Sequence, residues 1–363
     1  MTVSHRSAAA LAAVAAFAAT ALPASAQATS TGKWEVEVHG GFASATSPDG
    51  GSAGTLPAAT PLFTSPFSLP SQRISSWFFG DGTTLINSVN ATLAPGSRLT
   101  AIDPVITSSI ASRDSGANFG VRIARRIGSR YFAEATVDLA DTPLTFSQEA
   151  LDGIEASRAT FVTAFRGLLL SGFSAPNVTA TVDLNEGSGR ELITTGVFGV
   201  DLLTHGRLIP YVVGGAGIAH GTGDQPSATI TGNYTIPIPV PDVTPINETD
   251  TLKIRVMRDA NAAVGVFGGG FRYAASSRWG VRFDVRASVG GGASDVVIDA
   301  TPSVLSGPVG ALAASPTIPS AVFSSSILRS SSLSGPAISG LKTFSGSGSS
   351  VRTNVVGGVY VRF

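Results

Sequence analysis

Histidines close to acidic or hydroxyl residues are the first places where this chain could carry out catalysis. Three of its four histidines, His39, His205 and His220, lie beyond the first 30 residues. His220 comes four residues before Asp224, with serines nearby, so a lipid hydrolase using serine, histidine and an acid would place its base there. A lone histidine near an aspartate in a polar stretch is usually only solvated. We therefore predict no catalytic residue.

Metal and phosphate sites find equally little support in the sequence. The chain has no cysteine, and His39 belongs to no spaced cluster of histidines and carboxylates of the kind that holds a metal. The glycine clusters at 214–217, 268–270 and 290–292 are not followed by the helix that a phosphate-binding loop requires. We predict no cofactor and no metal.

Charged residues instead alternate with apolar ones in several short stretches. In the last 13 residues, VRTNVVGGVYVRF, the face that carries Val359 and Phe363 is mainly apolar, and the opposite face carries Arg352 and Arg362. A period of two is that of a β-strand. An apolar face and a terminal aromatic residue are typical of the last strand of an outer-membrane barrel, in which that face meets lipid. Other strands must then close a ring, because unpaired backbone groups are not tolerated in hydrocarbon.

Seven further stretches supply the strands that such a ring needs. The predicted strands cover residues 34–42, 118–124, 131–139, 190–203, 207–220, 259–273, 278–288 and 351–363. Their connections alternate between long stretches and short turns, the turns lying near residues 128, 205 and 275. Short periplasmic turns and long outside loops are the pattern of membrane barrels. We predict an all-β fold, an eight-stranded antiparallel transmembrane β-barrel with four long extracellular loops at about 43–117, 141–189, 221–258 and 289–350. The first of these loops is expected to be irregular, and segments such as ATITGNYTIPIPV could extend barrel strands into the loops.

The two faces of each predicted strand indicate which side chains point into the barrel and which point toward lipid. Eight strands leave a lumen that side chains can just fill, and buried charges there must be paired, so we predict ion pairs and no continuous pore. A narrow conduction path lined by the same charges is the alternative. The barrel-interior charge network consists of Glu35, Glu37, Arg122, Glu134, Asp138, Arg282, Asp284, Arg286, Arg352 and Arg362, and His39 fills a place beside it. The periplasmic aromatic girdle consists of Trp34, Tyr131, Phe271, Tyr273, Trp279 and Phe363. Tyr360 and Phe363 form the C-terminal barrel-assembly signal.

Two segments do not follow the period of two. Residues 1–26 have a cationic start, an apolar run and the small-residue motif Ala24-Ser25-Ala26, so they predict a cleaved signal peptide. Residues 147–170 repeat apolar side chains every three or four positions after the potential capping residue Ser147, which predicts an amphipathic helix inside a loop. That helix would lie against the loops or plug the barrel mouth, or alternatively lie on the outer leaflet. The mature domain is then 27–363.

Composition fits this interpretation. Charged residues make up 13% of the chain, about half the usual share, while its formal net charge is zero, which gives no electrostatic reason to bind nucleic acid. After the N-terminus the sequence contains no apolar run long enough for a transmembrane helix. The expected partners are outer-membrane lipid, lipopolysaccharide and the barrel-assembly machinery. The expected state is a monomer.

The strands also resemble a known family. RLIPYVVGGAGIAH and RWGVRFDVRAS are similar to strands of the small OmpA-type outer-membrane barrels, and SSWFFGDG and IEASRATFVTAF look like segments of uncharacterised barrel proteins from soil bacteria. The resemblance implies localisation in the bacterial outer membrane and covers about a third of the chain, without a peptidoglycan-binding domain after the barrel. The expected role is structural or surface interaction through the loops. A narrow porin-like channel and a lipid-active hydrolase are the alternatives.

Overall fold

Eight of the strands close into a barrel, and most of the others form a second sheet at one end of it. The computed structural model describes residues 33–47, 50–57, 60–61, 72–73, 76–80, 102–169, 177–236, 246–301 and 337–363. The predicted signal peptide, residues 1–26, lies outside these residues. The strands are β1 (Trp34–Ala45), β2 (Gly50–Ala53), β3 (Thr60–Pro61), β4 (Gln72–Arg73), β5 (Ala111–Arg113), β6 (Gly116–Ile127), β7 (Tyr131–Asp141), β8 (Leu144–Phe146), β9 (Asn177–Asn185), β10 (Arg190–Asp201), β11 (Leu208–Gly221), β12 (Ser227–Ile236), β13 (Ile246–Arg258), β14 (Asn261–Ala274), β15 (Trp279–Gly291), β16 (Ser294–Thr301), β17 (Ile338–Ser347) and β18 (Ser349–Arg362). The helices are α1 (Asp103–Ile106) and α2 (Gln148–Leu169).

The barrel runs in the order β1-β18-β15-β14-β11-β10-β7-β6, and β1 pairs with both β18 and β6, so no edge is left open. All neighbouring strands are antiparallel. The three turns predicted near residues 128, 205 and 275 join β6 to β7, β10 to β11 and β14 to β15. Gly128 and Gly206 adopt positive φ angles of 75° and 109° in the first two, a conformation that glycine takes without steric cost. The predicted eight-stranded barrel and its pattern of connections are confirmed.

The barrel exterior is apolar, and its interior is mainly polar. On β7, for example, Tyr131, Val137 and Leu139 are exposed, whereas Glu134 and Asp138 are buried. The alternation also settles β11, whose many small residues left the two faces indistinguishable in the sequence. There Tyr211 faces inward and Leu208, Val212 and Ile218 face outward. In the described residues, no helix has both the length and the apolar character needed to cross a membrane.

In the described residues, all four long connections contain strands outside the barrel, which corrects the expectation that the first of them is irregular. They carry a second sheet in the order β2-β17-β16-β13-β12-β9, formed largely from strands that directly precede or follow barrel strands. Its strands alternate threonine, serine and charged residues with alanine, valine, leucine and isoleucine, and most of these apolar residues lie on one buried face. A sheet with one apolar face folds stably only if something covers that face.

Helix α2 and the first long connection cover this face. Ser147 caps the helix as predicted, because the Ala150 amide donates to its Oγ at 3.2 Å. The apolar side of α2 packs against β9 and β12. The helix therefore lies against the loop segments, which is one of the positions that the sequence predicted. The hydrophobic core of the second sheet also includes Trp77, Phe78 and Phe79 of the first long connection. Phe78 stacks on Phe161 of α2, with ring centroids 5.0 Å apart.

Helix α2 also covers the outer edge of β9. Arg158 Nη1 donates to the Ala180 carbonyl at 3.2 Å, and Arg166 Nη2 donates to the Val178 carbonyl at 3.4 Å. An edge strand with free backbone groups is a template for pairing with another chain. The two arginines therefore protect the edge of the second sheet from such pairing.

Gly232 of β12 lies against α2, so a substitution at this position tests how the helix packs on the second sheet. A Cβ at this position would collide with the ring of Phe161. We expect Gly232→Ala to lower the free energy of unfolding of the second sheet by about 1–3 kcal/mol, because overpacking a core forces side chains and backbone to shift. Gly357→Ala is the matched control, since a Cβ there meets no atom within 4 Å. Urea unfolding monitored by Trp77 fluorescence, in a chain carrying Trp34→Phe and Trp279→Phe, measures both variants, and equal stabilities would contradict this packing.

Candidate functional site

The middle of the barrel interior holds a neutral set of three arginines and three carboxylates. We name it the central cluster: Glu37, Arg122, Glu134, Arg282, Asp284 and Arg286. Arg122 Nη1 lies 2.8 Å from Glu37 Oε1 and 2.6 Å from Asp284 Oδ2. Arg282 Nη2 lies 2.9 Å from Glu134 Oε2. Each of these side chains is at most 7% exposed, so the cluster fills the lumen with paired charge.

Strand register explains these contacts. Glu37 on β1 lies directly opposite Arg122 on β6, so the pair forms between neighbouring strands with both side chains pointing inward. His39 on β1 and Asp138 on β7 lie two strands apart, on either side of Gly120 on β6. His39 Nε2 and Asp138 Oδ1 are 2.6 Å apart, and a Cβ at Gly120 would collide with both. The glycine therefore allows this pair to form.

A second cluster lies nearer the short turns. We name it the turn-end cluster: Glu35, Arg126, Asp201, Arg272 and Arg362. Arg362 Nη2 lies 2.7 Å from Glu35 Oε1, and Arg272 Nη1 lies 3.2 Å from Glu35 Oε2. Arg126 and Arg272 both pair with Asp201. The lumen is therefore crossed by ion pairs at this level also.

Two aromatic rings lie between these clusters. Arg272 and Arg282 are cross-strand neighbours, and like charges in that position repel one another. The guanidinium carbon of Arg272 lies 4.7 Å from the ring centroid of Phe132, and that of Arg282 lies 4.4 Å from the ring centroid of Tyr211. Such cation–π contacts are stronger where water is excluded. The rings thus accommodate two buried arginines side by side.

A third group lies where the barrel meets the second sheet. We name it the mouth cluster: Arg113, Glu191, Arg258 and Arg352. Arg352 Nε lies 2.8 Å from Glu191 Oε2, and Arg258 Nη2 lies 2.9 Å from Glu191 Oε1. Arg113 Nη1 lies 3.1 Å from Glu191 Oε2. Three guanidinium groups therefore converge on one carboxylate, beside a cavity that is partly open to solvent.

The structure places all ten predicted network residues on the inner face. Nine of them belong to the three clusters, and Asp138 pairs with His39. Six residues of the turn-end and mouth clusters were not predicted, and neither was Tyr211: Arg113, Arg126, Glu191, Asp201, Arg258 and Arg272. Arg272 alternates with Phe271 and Tyr273, so its inward position was readable. Arg113 and Arg258 belong to strands outside the barrel, and no pattern within a barrel strand indicates them.

The six predicted girdle residues lie on the exterior near the short turns. Their exposure ranges from 40% for Tyr273 to 68% for Phe363. Phe271 stacks on Phe283 of the neighbouring strand, with centroids 5.4 Å apart. Tyr360, named with Phe363 as an assembly signal, is buried inside the barrel instead. The two residues of that signal therefore point to opposite faces of β18.

The remaining histidines form no catalytic arrangement in the described residues. His220 is exposed, and its Nδ1 lies 2.7 Å from Asn261 Oδ1. His205 lies in a short turn, 2.8 Å from the Thr204 hydroxyl. No group of three or more histidine, aspartate, glutamate or cysteine residues with metal-binding geometry occurs in the part of the chain that the structure describes.

Comparison with known proteins gives little beyond this geometry. No protein-family model matches the sequence, and no curated protein matches it. Among solved structures, the crystal structure of the outer membrane protein OprG from Pseudomonas aeruginosa is similar over 92% of this chain and 97% of that chain, at 10% sequence identity and a TM-score of 0.34. A likeness this weak supports no conclusion about function.

Proposed function

We propose that this chain is an integral protein of the bacterial outer membrane that holds a folded sheet at the cell surface. The closed barrel carries this proposal. Its ring leaves no open edge, its exterior is apolar and its interior is charged, which together are the requirements for a β-structure in lipid. Aromatic residues near the short turns fit one membrane interface. The short turns would then face the periplasm and the second sheet the outside.

The second sheet is built to face water. On the side away from its core, Thr181, Thr231, Thr251 and Thr301 are cross-strand neighbours on four successive strands. The first and last are exposed and the middle two are half-buried. Hydroxyl groups in such a row form hydrogen bonds with water, and they leave no apolar patch of the kind that lipid would cover. This supports a surface-interaction role for the long connections.

Several further features belong to this proposal. Export would follow cleavage of the signal peptide after Ala26, and insertion would use the barrel-assembly machinery with Tyr360 and Phe363 as its signal. Lipid and lipopolysaccharide would surround a monomeric barrel. The finer resemblance to the OmpA-type family is supported by eight strands and three short turns.

The ion pairs predict that the barrel does not conduct. In planar bilayers, purified and refolded protein should give no steady channel openings at several salt concentrations, because buried side chains of the central and turn-end clusters bond across the lumen. Heat-sensitive gel mobility should show independently that the protein is folded. A double variant, Arg122→Ala with Arg286→Ala, is the positive control, because it shortens two side chains that cross the lumen. Discrete openings of the unmodified protein would favour the narrow-channel alternative and contradict this part of the proposal.

A further inference from the structure

A cavity lies between the barrel mouth and the second sheet, and its walls come from both. Barrel residues Glu191, Ala219 and Arg352 line it on one side, and Arg258 and Ser294 line it on the other. Glu191, Ala219 and Arg352 are buried residues of the inner barrel face. Their neighbours Leu192, Ile218 and Val351 point outward and are exposed. The cavity therefore belongs to the interior of the mouth and not to the lipid-facing wall.

The charge of this cavity is unbalanced. Glu191 is the single acidic residue among the four members of the mouth cluster, so the three arginines leave two positive charges without a partner inside the cluster. The other carboxylate of the lining, Asp259, is exposed, and its Oδ2 accepts the Ala293 amide at 3.2 Å. The central cluster, by contrast, has equal numbers of arginines and carboxylates. Pairing within the protein explains the central cluster but leaves the mouth cluster with surplus positive charge.

The mouth cluster also has hydrogen-bond donors to spare. Three guanidinium groups carry about 15 N–H donors, whereas one carboxylate offers about four acceptor positions. Arg352 already donates to Glu191 and Ser350, and Arg113 donates to Glu191 and Thr142. The buried Nε of Arg258 has no hydrogen-bond partner among the described residues. The guanidinium groups that line the cavity therefore carry more donors than the acceptors of the cluster can use.

The chemical environment of the cavity suits an oxygen anion. Thr46, Ser47, Ser294 and Ser350 contribute hydroxyl groups to its lining, and planar guanidinium groups match the paired oxygens of carboxylates and phosphates. Gly292 keeps part of the wall open, because a Cβ there would meet only one atom, Ala262 Cβ, at 4.0 Å. No aromatic side chain lines the cavity among the described residues, so the walls offer no surface for a base to stack on.

We propose that this cavity binds the phosphate or carboxylate group of a small soluble solute, with Arg113, Arg258 and Arg352 as its cationic ligands. Glu191 holds the three guanidinium groups together and limits their attraction for the anion. The solute would enter from the side of the second sheet and stop above the central cluster. This role goes beyond the membrane-anchored surface role, because it concerns binding inside the barrel mouth. It does not depend on whether the barrel conducts ions or on which partner binds the surface.

Calorimetric titration of the full, detergent-folded chain with inorganic phosphate, and separately with succinate, tests the proposal at pH 7 and low salt. We expect saturable binding of at least one of these probes. Arg258→Gln should weaken that binding about tenfold or more, since hydrogen bonds to charged groups are among the strongest. Arg255→Gln is the matched control, because Arg255 lies three residues away, pairs with Asp299 and does not line the cavity. It should leave binding unchanged.

Two further variants separate the proposal from a loss of folding or a general effect of charge. Glu191→Gln removes the competing carboxylate and should tighten binding. Gly292→Leu keeps every charge but fills space, so it should weaken binding while heat-sensitive mobility stays normal. Lack of saturable binding of both probes up to about 10 mM, or an equal loss in Arg255→Gln and Arg258→Gln, would overturn the proposal. Binding lost only when co-purified lipopolysaccharide is removed would also overturn it, because the anion would then come from lipid.

Discussion

Replacing Arg282 with methionine is expected to lower the free energy of unfolding by about 3–5 kcal/mol, the usual cost of removing one partner from a buried ion pair. The Arg282 side chain is 1% exposed, contacts Glu134 and Asp284, and donates from Nε to the Tyr211 hydroxyl at 2.6 Å. Methionine keeps much of the volume but leaves three carboxylates of the central cluster with two arginines. Urea unfolding of the protein in lipid vesicles, measured by tryptophan fluorescence, gives the difference.

The chain offers a matched control for this variant. Arg278 is exposed in the short turn that precedes β15, so Arg278→Met should change the free energy of unfolding by no more than about 0.5 kcal/mol. The double variant Arg282→Met with Glu134→Gln restores the charge balance and should recover part of the lost stability. A loss below about 1 kcal/mol in Arg282→Met would mean that water solvates the central cluster, and the lumen would then not be sealed.

The sequence predicts the barrel well because the relevant signal is local. A strand such as β15 alternates Trp279, Val281 and Phe283 with Arg282 and Asp284, and each strand carries this pattern independently of its partners. Lipid on one side and paired charge on the other enforce the alternation along the whole strand. The short turns then fix which strands are neighbours, since an antiparallel hairpin joins consecutive strands.

The second sheet was not predicted as a sheet because its pairings are not local. β2 and β17 pair although nearly the whole chain separates Ser52 from Ser345. β9 and β12 pair across an entire barrel hairpin. Threonine, serine and glycine in these strands are also common in loops, so their composition suggested loop segments. What selects the sheet is the apolar cover from Phe78 and α2, and that cover is a tertiary property.

The same distinction explains which charges were found. Glu37, Arg122 and Arg282 lie in the middle of strands, where alternation identifies the inner face without ambiguity. Arg126 follows Arg125 at a strand end, and Glu191 follows Arg190. Because two adjacent residues are charged in each case, alternation does not show which side chain points into the barrel. The structure makes this choice by placing each inward residue beside a partner from a different strand. Where two charged residues are adjacent, or where a partner lies outside the barrel strands, the pairing therefore needs three-dimensional information.

The second large effect is expected from pH, through Asp250 in the core of the second sheet. This side chain lies opposite Gly232, and its Oδ2 accepts the Trp77 amide at 2.9 Å. It forms no ion pair with a described residue. Burial raises the pKa of Asp250 from its ordinary value of 3.8 to about 7, although backbone hydrogen bonds from Trp77 and Thr251 oppose the rise. Asp250 is therefore expected to remain largely protonated in the folded sheet up to nearly neutral pH.

The sign follows from comparing the folded and unfolded states. Between about pH 4 and pH 7 the unfolded carboxyl has lost its proton and the folded one retains it, so raising the pH favours unfolding. At 1.36 kcal/mol for each pH unit, the stability of the second sheet should fall by about 4 kcal/mol across this range and then level off. Trp77, buried in the same core, should report the change as a fluorescence shift in a chain carrying Trp34→Phe and Trp279→Phe.

Asp250→Asn distinguishes this carboxyl from the other acids of the chain. Asparagine still accepts the Trp77 amide but cannot ionise, so its stability should vary much less between pH 4 and pH 8, and at pH 8 it should exceed that of the parent chain. Glu155→Gln is the control, because Glu155 is exposed on α2 and pairs with Arg158, and it should keep the parent's fall in stability. If the parent and Asp250→Asn depend equally on pH, Asp250 is ionised in the folded sheet. The Trp77 contact would then be a hydrogen bond to a charged group throughout this pH range.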